Sequence, residues 1–292
     1  MAAIVVVHGI GKQYSGAHSL HTSVSTALLD GLSRAGVTHV APESVRVAFY
    51  GHLFRPPGSA PTKGEPSYTY RDVTDPFEVE LLLAWWAEAH RIEPDLVPPP
   101  AATGTSKAAV PQSVQRGLHA LSNSRGFARV ADRFLIGVLK QVRAYLTSPD
   151  VREHVQKEIA AAVTADTRVL VGHSLGSVIA YEALCAHPEW PVHSFVTLGS
   201  PLGIPKLVFD RLSPAPRSGR GMWPAGVGTW TNLCDRHDVV ALAKRLAPLF
   251  GDADFVIRDL MIDNGRQAHA IEPHLTAVET GTAIAEALRV AS

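Results

Sequence analysis

The chain of 292 residues carries 27 Lys and Arg against 27 Asp and Glu, and 46% of its residues are apolar. That apolar fraction is ample for one sizeable core with an added lobe, while the even charge removes the electrostatic case for nucleic acid or an anionic membrane as partner. The start, MAAIVVVHGIGK, lacks a basic segment ahead of its apolar run, no later run reaches the roughly 18 apolar residues of a spanning helix, and Cys185 and Cys234 do not make a disulfide framework; a soluble, cytoplasmic protein is expected.

Residues 3–7 (AIVVV) are β-branched without alternation, the pattern of a strand buried on both faces, and they end in His8-Gly9-Ile10-Gly11. A glycine-rich turn at the carboxyl end of a parallel strand is where α/β sheets place ligands. Neither G-x-G-x-x-G nor G-x-x-x-x-G-K-[ST] is present, which argues against a nucleotide. Residues 18–35 follow with Leu20, Val24, Ala27, Leu28 and Leu32 on one helical face, and 45–50 (VRVAFY) is the next strand. Strand, helix, strand is a βαβ unit, which implies a parallel sheet.

The rhythm then stops. Residues 52–67 and 97–111 are rich in Pro and Gly, and no alternating strand pattern returns before Arg168. Helices are expected over 75–91, with Leu81, Leu82, Leu83, Trp85 and Trp86, and over 126–146, where Phe127, Val130, Phe134, Leu135, Val138, Val142 and Tyr145 recur at helical spacing. Residues 149–163 open with Pro and acidic residues, as a helix does, and lead back to the core. The chain thus divides into a core of residues 1–50 and 149–292 and a mainly helical cap, residues 51–148, over the carboxyl edge of the sheet. Trp85 and Trp86 either line an apolar pocket or glue this cap to the core, with packing the favoured role.

Residues 168–171 form an apolar strand entering Gly172-His173-Ser174-Leu175-Gly176, a G-x-S-x-G pattern, and 175–186 continue as a helix. A serine on so tight a turn lifts its hydroxyl clear of the sheet, and the glycines remove side chains that would collide with the crossing backbone. The bland alternative is a strand-to-helix turn with a capping serine. Further strands are expected at 192–198, 229–234 and 255–261, with a closing helix over 276–290.

A serine hydroxyl needs a base within reach and a carboxylate to orient that base. Asp235, Asp238, Asp252 and Asp254 compete for the acid. Asp238 is favoured because Val239 and Val240 after it anchor the turn, and Asp235 stands in reserve. His269, flanked by alanines after the Asp263-Asn264-Gly265 turn, is favoured as base over His274, which sits where a helix begins and is suited to capping it. His173 is expected to lie buried under the turn, and His8 to order the loop that carries it. The backbone N–H groups of Ile10 and Leu175 are the expected oxyanion donors. No metal or organic cofactor is implied, as H-E-x-x-H and C-x-x-C are absent.

Taken together, VVVHGIG, VLVGHSLGSVIAYEAL, TLGSPLGI, DRHDVV and a late histidine resemble the α/β-hydrolase superfamily, in particular its lipase-like and esterase-like members. The resemblance covers residues 3–50 and 167–290, and implies a mostly parallel, doubly wound sheet with a helical cap. It also implies a triad of Ser174, Asp238 and His269, and a serine esterase acting on a small-molecule ester through an acyl-enzyme, with no cofactor. Thioesterases, peptidases and acyltransferases share these motifs, and a non-catalytic binding module on the same fold is the alternative from another class. Lys12-Gln13 departs from an open lipase-like groove, because the bulky polar pair is expected to narrow the mouth of the pocket.

Overall fold

The computed structural model describes residues 3–55, 66–100, 110–124, 132–251 and 254–290. Six strands form one sheet in the order β2-β1-β3-β4-β5-β6, with every neighbouring pair parallel. They are β1 (Ile4–Val7), β2 (Val45–Ala48), β3 (Val169–His173), β4 (Ser194–Leu198), β5 (Thr229–Asp235) and β6 (Arg258–Ile262). The helices are α1 (Ala17–Arg34), α2 (Pro76–Ile92), α3 (Val110–Asn123), α4 (Asp132–Thr147), α5 (Pro149–Ala162), α6 (Leu175–Ala186), α7 (Ile271–Thr276) and α8 (Val278–Val290).

Alternation along the strands sorts the two layers. Ile4, Val6, Val169, Val171, Val196 and Leu198 share a core with Leu20, Val24 and Leu28 of α1 and Ile284 of α8. Val5, Val7, Leu170 and Phe195 point the other way, toward Val155 and Ile159 of α5 and Val178 and Ile179 of α6. Burial on both faces is why these strands read as unbroken apolar runs. Strand order reverses between β1 and β3, since the chain leaves β1 toward β2 on one side and resumes at β3 on the other. Loops leaving the carboxyl ends of β1 and β3 therefore diverge and open a crevice there.

Among the described residues of 51–148 there are three α-helices and short 3-10 turns but no strand. Helices α2, α3 and α4 pack on one another and, through α4, on α5. Their apolar side chains join the same cluster as α5, α6 and the sheet, so this segment shares the core of that face. Trp85 and Trp86 take the packing role: both are buried in that cluster, and the Trp86 indole donates to the Pro98 carbonyl at 2.8 Å.

Several boundaries differ from the sequence expectation. Helix α3 had no counterpart there, because its residues follow a Pro-rich stretch and carry few large apolar side chains. Helix α4 begins at Asp132 among the described residues; Phe127 and Val130 lie outside them, as does Asp252. The last strand is β6, Arg258–Ile262, displaced toward the carboxyl terminus because its ladder pairs Arg258 with Thr231 and Ile262 with Asp235. Phe255 and Val256, expected within it, are exposed, and Phe255 stacks on Trp223 instead. The expected closing helix is present as α8, and a further short helix, α7, precedes it where the sequence implies a loop. A Cβ on Gly31 of α1 would lie 2.1 Å from the Leu275 carbonyl oxygen, and one on Gly281 would lie 2.0 Å from that of Gly31, so α1 crosses against the α7–α8 junction at backbone distance. Carbonyls freed by the break find donors in Arg34, at 2.9 Å from the Thr276 oxygen, and Thr280, at 2.6 Å from that of His274.

Candidate active site

The β3–α6 turn places Ser174 at φ 52°, ψ −132°, a conformation that L-residues avoid, with the residue 2% exposed. Both motif glycines are sterically required. A Cβ on Gly172 would lie 2.5 Å from the Ser177 Cα, and one on Gly176 would lie 2.3 Å from the Val7 carbonyl oxygen. The strained turn is held by Ser174 N–H donating to the Leu198 carbonyl at 3.0 Å, and by the Ser177 hydroxyl donating to the Ser174 carbonyl at 2.6 Å.

His269, in the loop after β6, lies with Nε2 at 2.9 Å from Ser174 Oγ and Nδ1 at 2.8 Å from Asp238 Oδ2. With the carboxylate accepting a hydrogen bond from Nδ1–H, Nε2 is free to accept from the serine hydroxyl. Asp238, in the turn after β5, is fully buried; its other oxygen accepts from the N–H groups of Val240 and Ala241 at 2.9 and 3.3 Å. Burial pushes this carboxyl up, but the His269 charge and hydrogen bond, joined by His274 and Lys244, outweigh it and hold the pKa below the ordinary carboxylate value. The group therefore stays ionised, as an imidazole partner must.

The reserve candidates have other partners. Asp235 Oδ1 accepts from His237 N–H at 2.7 Å and Oδ2 from Asn264 N–H, so this carboxylate ties the acid turn to the loop that carries His269. His274 is buried within α7, its Nδ1 at 2.8 Å from the Ala270 carbonyl and 3.0 Å from the Asn264 amide nitrogen, and burial lowers its pKa. His173 lies beneath the turn as expected, with Nε2 at 2.8 Å from the His269 carbonyl, and burial holds its pKa far below the ordinary histidine value. His8 is neutral for the same reason, lowered to about 4 by burial. Its Nδ1 lies 2.5 Å from the Gly9 carbonyl and its Nε2 accepts from Tyr50 N–H at 3.3 Å, leaving neither nitrogen for proton transfer.

Leu175 opens α6, where a backbone N–H has no intrahelical acceptor and the helix dipole is positive. The loop after β1 lies directly against the serine: a Cβ on Gly9 would be 2.9 Å from that of Ser174. Above them is a cavity of about 290 Å³ containing Ser174 and His269, with apolar walls from Ile10, Phe134, Val138 and Val240. Lys12 borders this cavity, whereas Gln13 does not; it turns into the protein, where its side-chain oxygen accepts from Gln141 at 3.2 Å. Of the polar pair expected to narrow the mouth, Gln13 is thus displaced, because its buried carboxamide finds its partner on α4.

No protein family, curated protein or solved structure matches this chain. Two contributors had no usable signal in the sequence. Gly199 follows β4 at φ 53°, and a Cβ there would lie 2.7 Å from Asp238 Oδ2 and 3.1 Å from His269 Nδ1, so the acid–base pair is seated on this glycine. Its place in Gly199-Ser200-Pro201-Leu202-Gly203 after a strand was visible, but its neighbours were not. Lys244 donates to the carbonyl oxygens of Asp238 and Ala241 and lies 3.4 Å from Glu88 of α2, bracing the acid turn against the helical segment. Among the described residues, no group of three or more His, Cys, Asp or Glu is placed to hold a metal ion, and no helix is long and apolar enough to cross a membrane.

Proposed function

We propose that this chain is a serine hydrolase of the α/β-hydrolase superfamily that cleaves a carboxylic ester through an acyl-enzyme, with residues 51–148 as its cap. What carries the proposal is the unbroken relay from Ser174 Oγ to His269 Nε2 at 2.9 Å and from His269 Nδ1 to Asp238 Oδ2 at 2.8 Å. In the first step the serine oxygen attacks the ester carbonyl while His269 takes its proton; the imidazolium, stabilised by Asp238, then returns that proton to the leaving alcohol. Water repeats the sequence on the acyl-serine, releasing the acid. The Ile10 and Leu175 amides are suited to stabilise the oxyanion in both halves. Neutral net charge and the apolar cavity wall favour a small, uncharged or largely apolar acyl group over a polyanion.

A fluorophosphonate probe tests the proposal: one equivalent of label on the folded protein, lost in Ser174→Ala, is the expected result, and an unlabelled folded wild type would refute it. p-Nitrophenyl esters of increasing chain length, beside a thioester and a peptide amide, separate esterase from the thioesterase, peptidase and acyltransferase alternatives.

A further inference from the structure

Three side chains of α4 at helical spacing, Phe134, Val138 and Gln141, lie on one face and meet the active site together. Phe134 and Val138 wall the cavity. Gln141 goes further: its side-chain oxygen accepts from Gly11 N–H at 3.2 Å, and its nitrogen donates to Gln13 Oε1 and to the Gly137 carbonyl, each at 3.2 Å. It is 6% exposed, so these bonds form where water does not compete for them. Gly11 stands at φ 80°, and a Cβ there would lie 2.6 Å from the Phe134 ring, so α4 touches this loop by contact as well as by hydrogen bond.

We infer that Gln141 is a positioning residue for the oxyanion loop, and that α4 is a fixed part of the catalytic framework. The inference rests on the serine-hydrolase reading given above. Ile10 carries one proposed oxyanion donor, and the direction of its N–H is set by the backbone on either side of it. On the amino-terminal side, His8 is held by Tyr50, whose hydroxyl donates to the His8 carbonyl and whose N–H donates to its ring. On the carboxyl-terminal side, Gln141 grips Gly11 N–H and so fixes the peptide plane that follows Ile10. The Arg55 guanidinium, donating to the Gln13 carbonyl at 2.6 Å, closes the loop from outside. Without Gln141, the Gly11 N–H loses its partner, and the backbone that follows Ile10 regains the conformational freedom of a glycine. Donor placement acts only on the charged intermediate, so the consequence belongs to kcat rather than to substrate binding.

The test is Gln141→Met, which keeps the length of the side chain and loses the carboxamide, with Gln141→Glu restoring the acceptor for Gly11 N–H. The expected result is a fall in kcat of about 10- to 100-fold with KM unchanged in the methionine variant, partly recovered in the glutamate variant. Affinity for a trifluoromethyl ketone, which mimics the tetrahedral intermediate, should fall by the same factor as kcat/KM. A folded Gln141→Met enzyme with wild-type kcat, or one in which KM rises while kcat holds, overturns the inference. If Gln141→Met does not fold, Gln13→Leu removes the acceptor that orients the Gln141 carboxamide; a fall in kcat of about threefold or more at unchanged KM supports the inference, and wild-type kcat overturns it. Failure of the underlying reading looks different, because wild-type protein would then lack Ser174-dependent labelling altogether.

Discussion

Replacing Gly199 by alanine adds a single methyl group at the point where the acid and base meet. Two costs follow, and they can be separated. At φ 53° an L-residue is in the left-handed region, which costs about 1 kcal/mol of stability whatever surrounds it. The new Cβ would also lie 2.7 Å from Asp238 Oδ2, about 0.7 Å inside ordinary van der Waals contact, with His269 Nδ1 a further 0.4 Å out. Asp238 has little room to yield, since its other oxygen is bound by two backbone N–H groups and its residue is fully buried. Relief therefore comes from displacing the carboxylate or the imidazole by a sizeable part of an ångström, and displacements near 1 Å cost about 100-fold in rate. Gly36 is the control: its φ is 80° and a Cβ there meets nothing within 4 Å, so alanine at 36 carries the backbone cost alone. Urea unfolding and ester turnover of the two variants should show a stability loss of about 1 kcal/mol in Gly36→Ala and a larger one in Gly199→Ala, with kcat/KM reduced about 100-fold only in Gly199→Ala. If Gly199→Ala and Gly36→Ala turn over ester at similar rates, the acid–base pair is not seated on Gly199.

Asp238→Asn should lower kcat by about 10⁴, as loss of the orienting carboxylate does in a serine triad, while Asp235→Asn, which loosens only the tie to Asn264, should cost far less; the opposite order of initial rates would move the acid to Asp235. His269→Ala should abolish turnover with the fold intact, whereas His274→Ala should lower the melting temperature more than the rate, and an active His269→Ala enzyme would remove that histidine from the mechanism. Stability should decline on acidification. His8, His173 and His274 all have pKa values lowered by burial, so the unfolded chain takes up protons first and folding weakens as pH falls below about 6.5. For His8 the loss runs from about 6.5 down to about 4 and amounts to about 3 kcal/mol, measurable as a falling urea midpoint that His8→Asn should flatten.

Much of the sheet was legible because its strands are buried on both faces: β1, β3 and β4 read as apolar runs ending in glycine turns, and only a parallel sheet with helices on both sides hides such strands. That signal weakens away from the doubly buried strands: the edge strand β6 has an exposed and mixed pattern that does not mark its bounds, and α3, a largely polar amphipathic segment after a Pro-rich stretch, resembles a loop.

The serine itself was local information, since a strained turn with glycines two residues either side announces itself within five positions. Which aspartate and which histidine reach it depends on where two loops, separated from Ser174 by 64 and 95 residues, come to rest. Sequence alone proposed Asp238 and His269; only the tertiary structure sets Asp235 and His274 to holding loops together, because a hydrogen bond is decided by positions within a few tenths of an ångström. The same holds for Gln141, Lys244 and Gly199. Each is an unremarkable residue by type, and each acquires its role from a neighbour far away in the chain that spacing and periodicity cannot reveal.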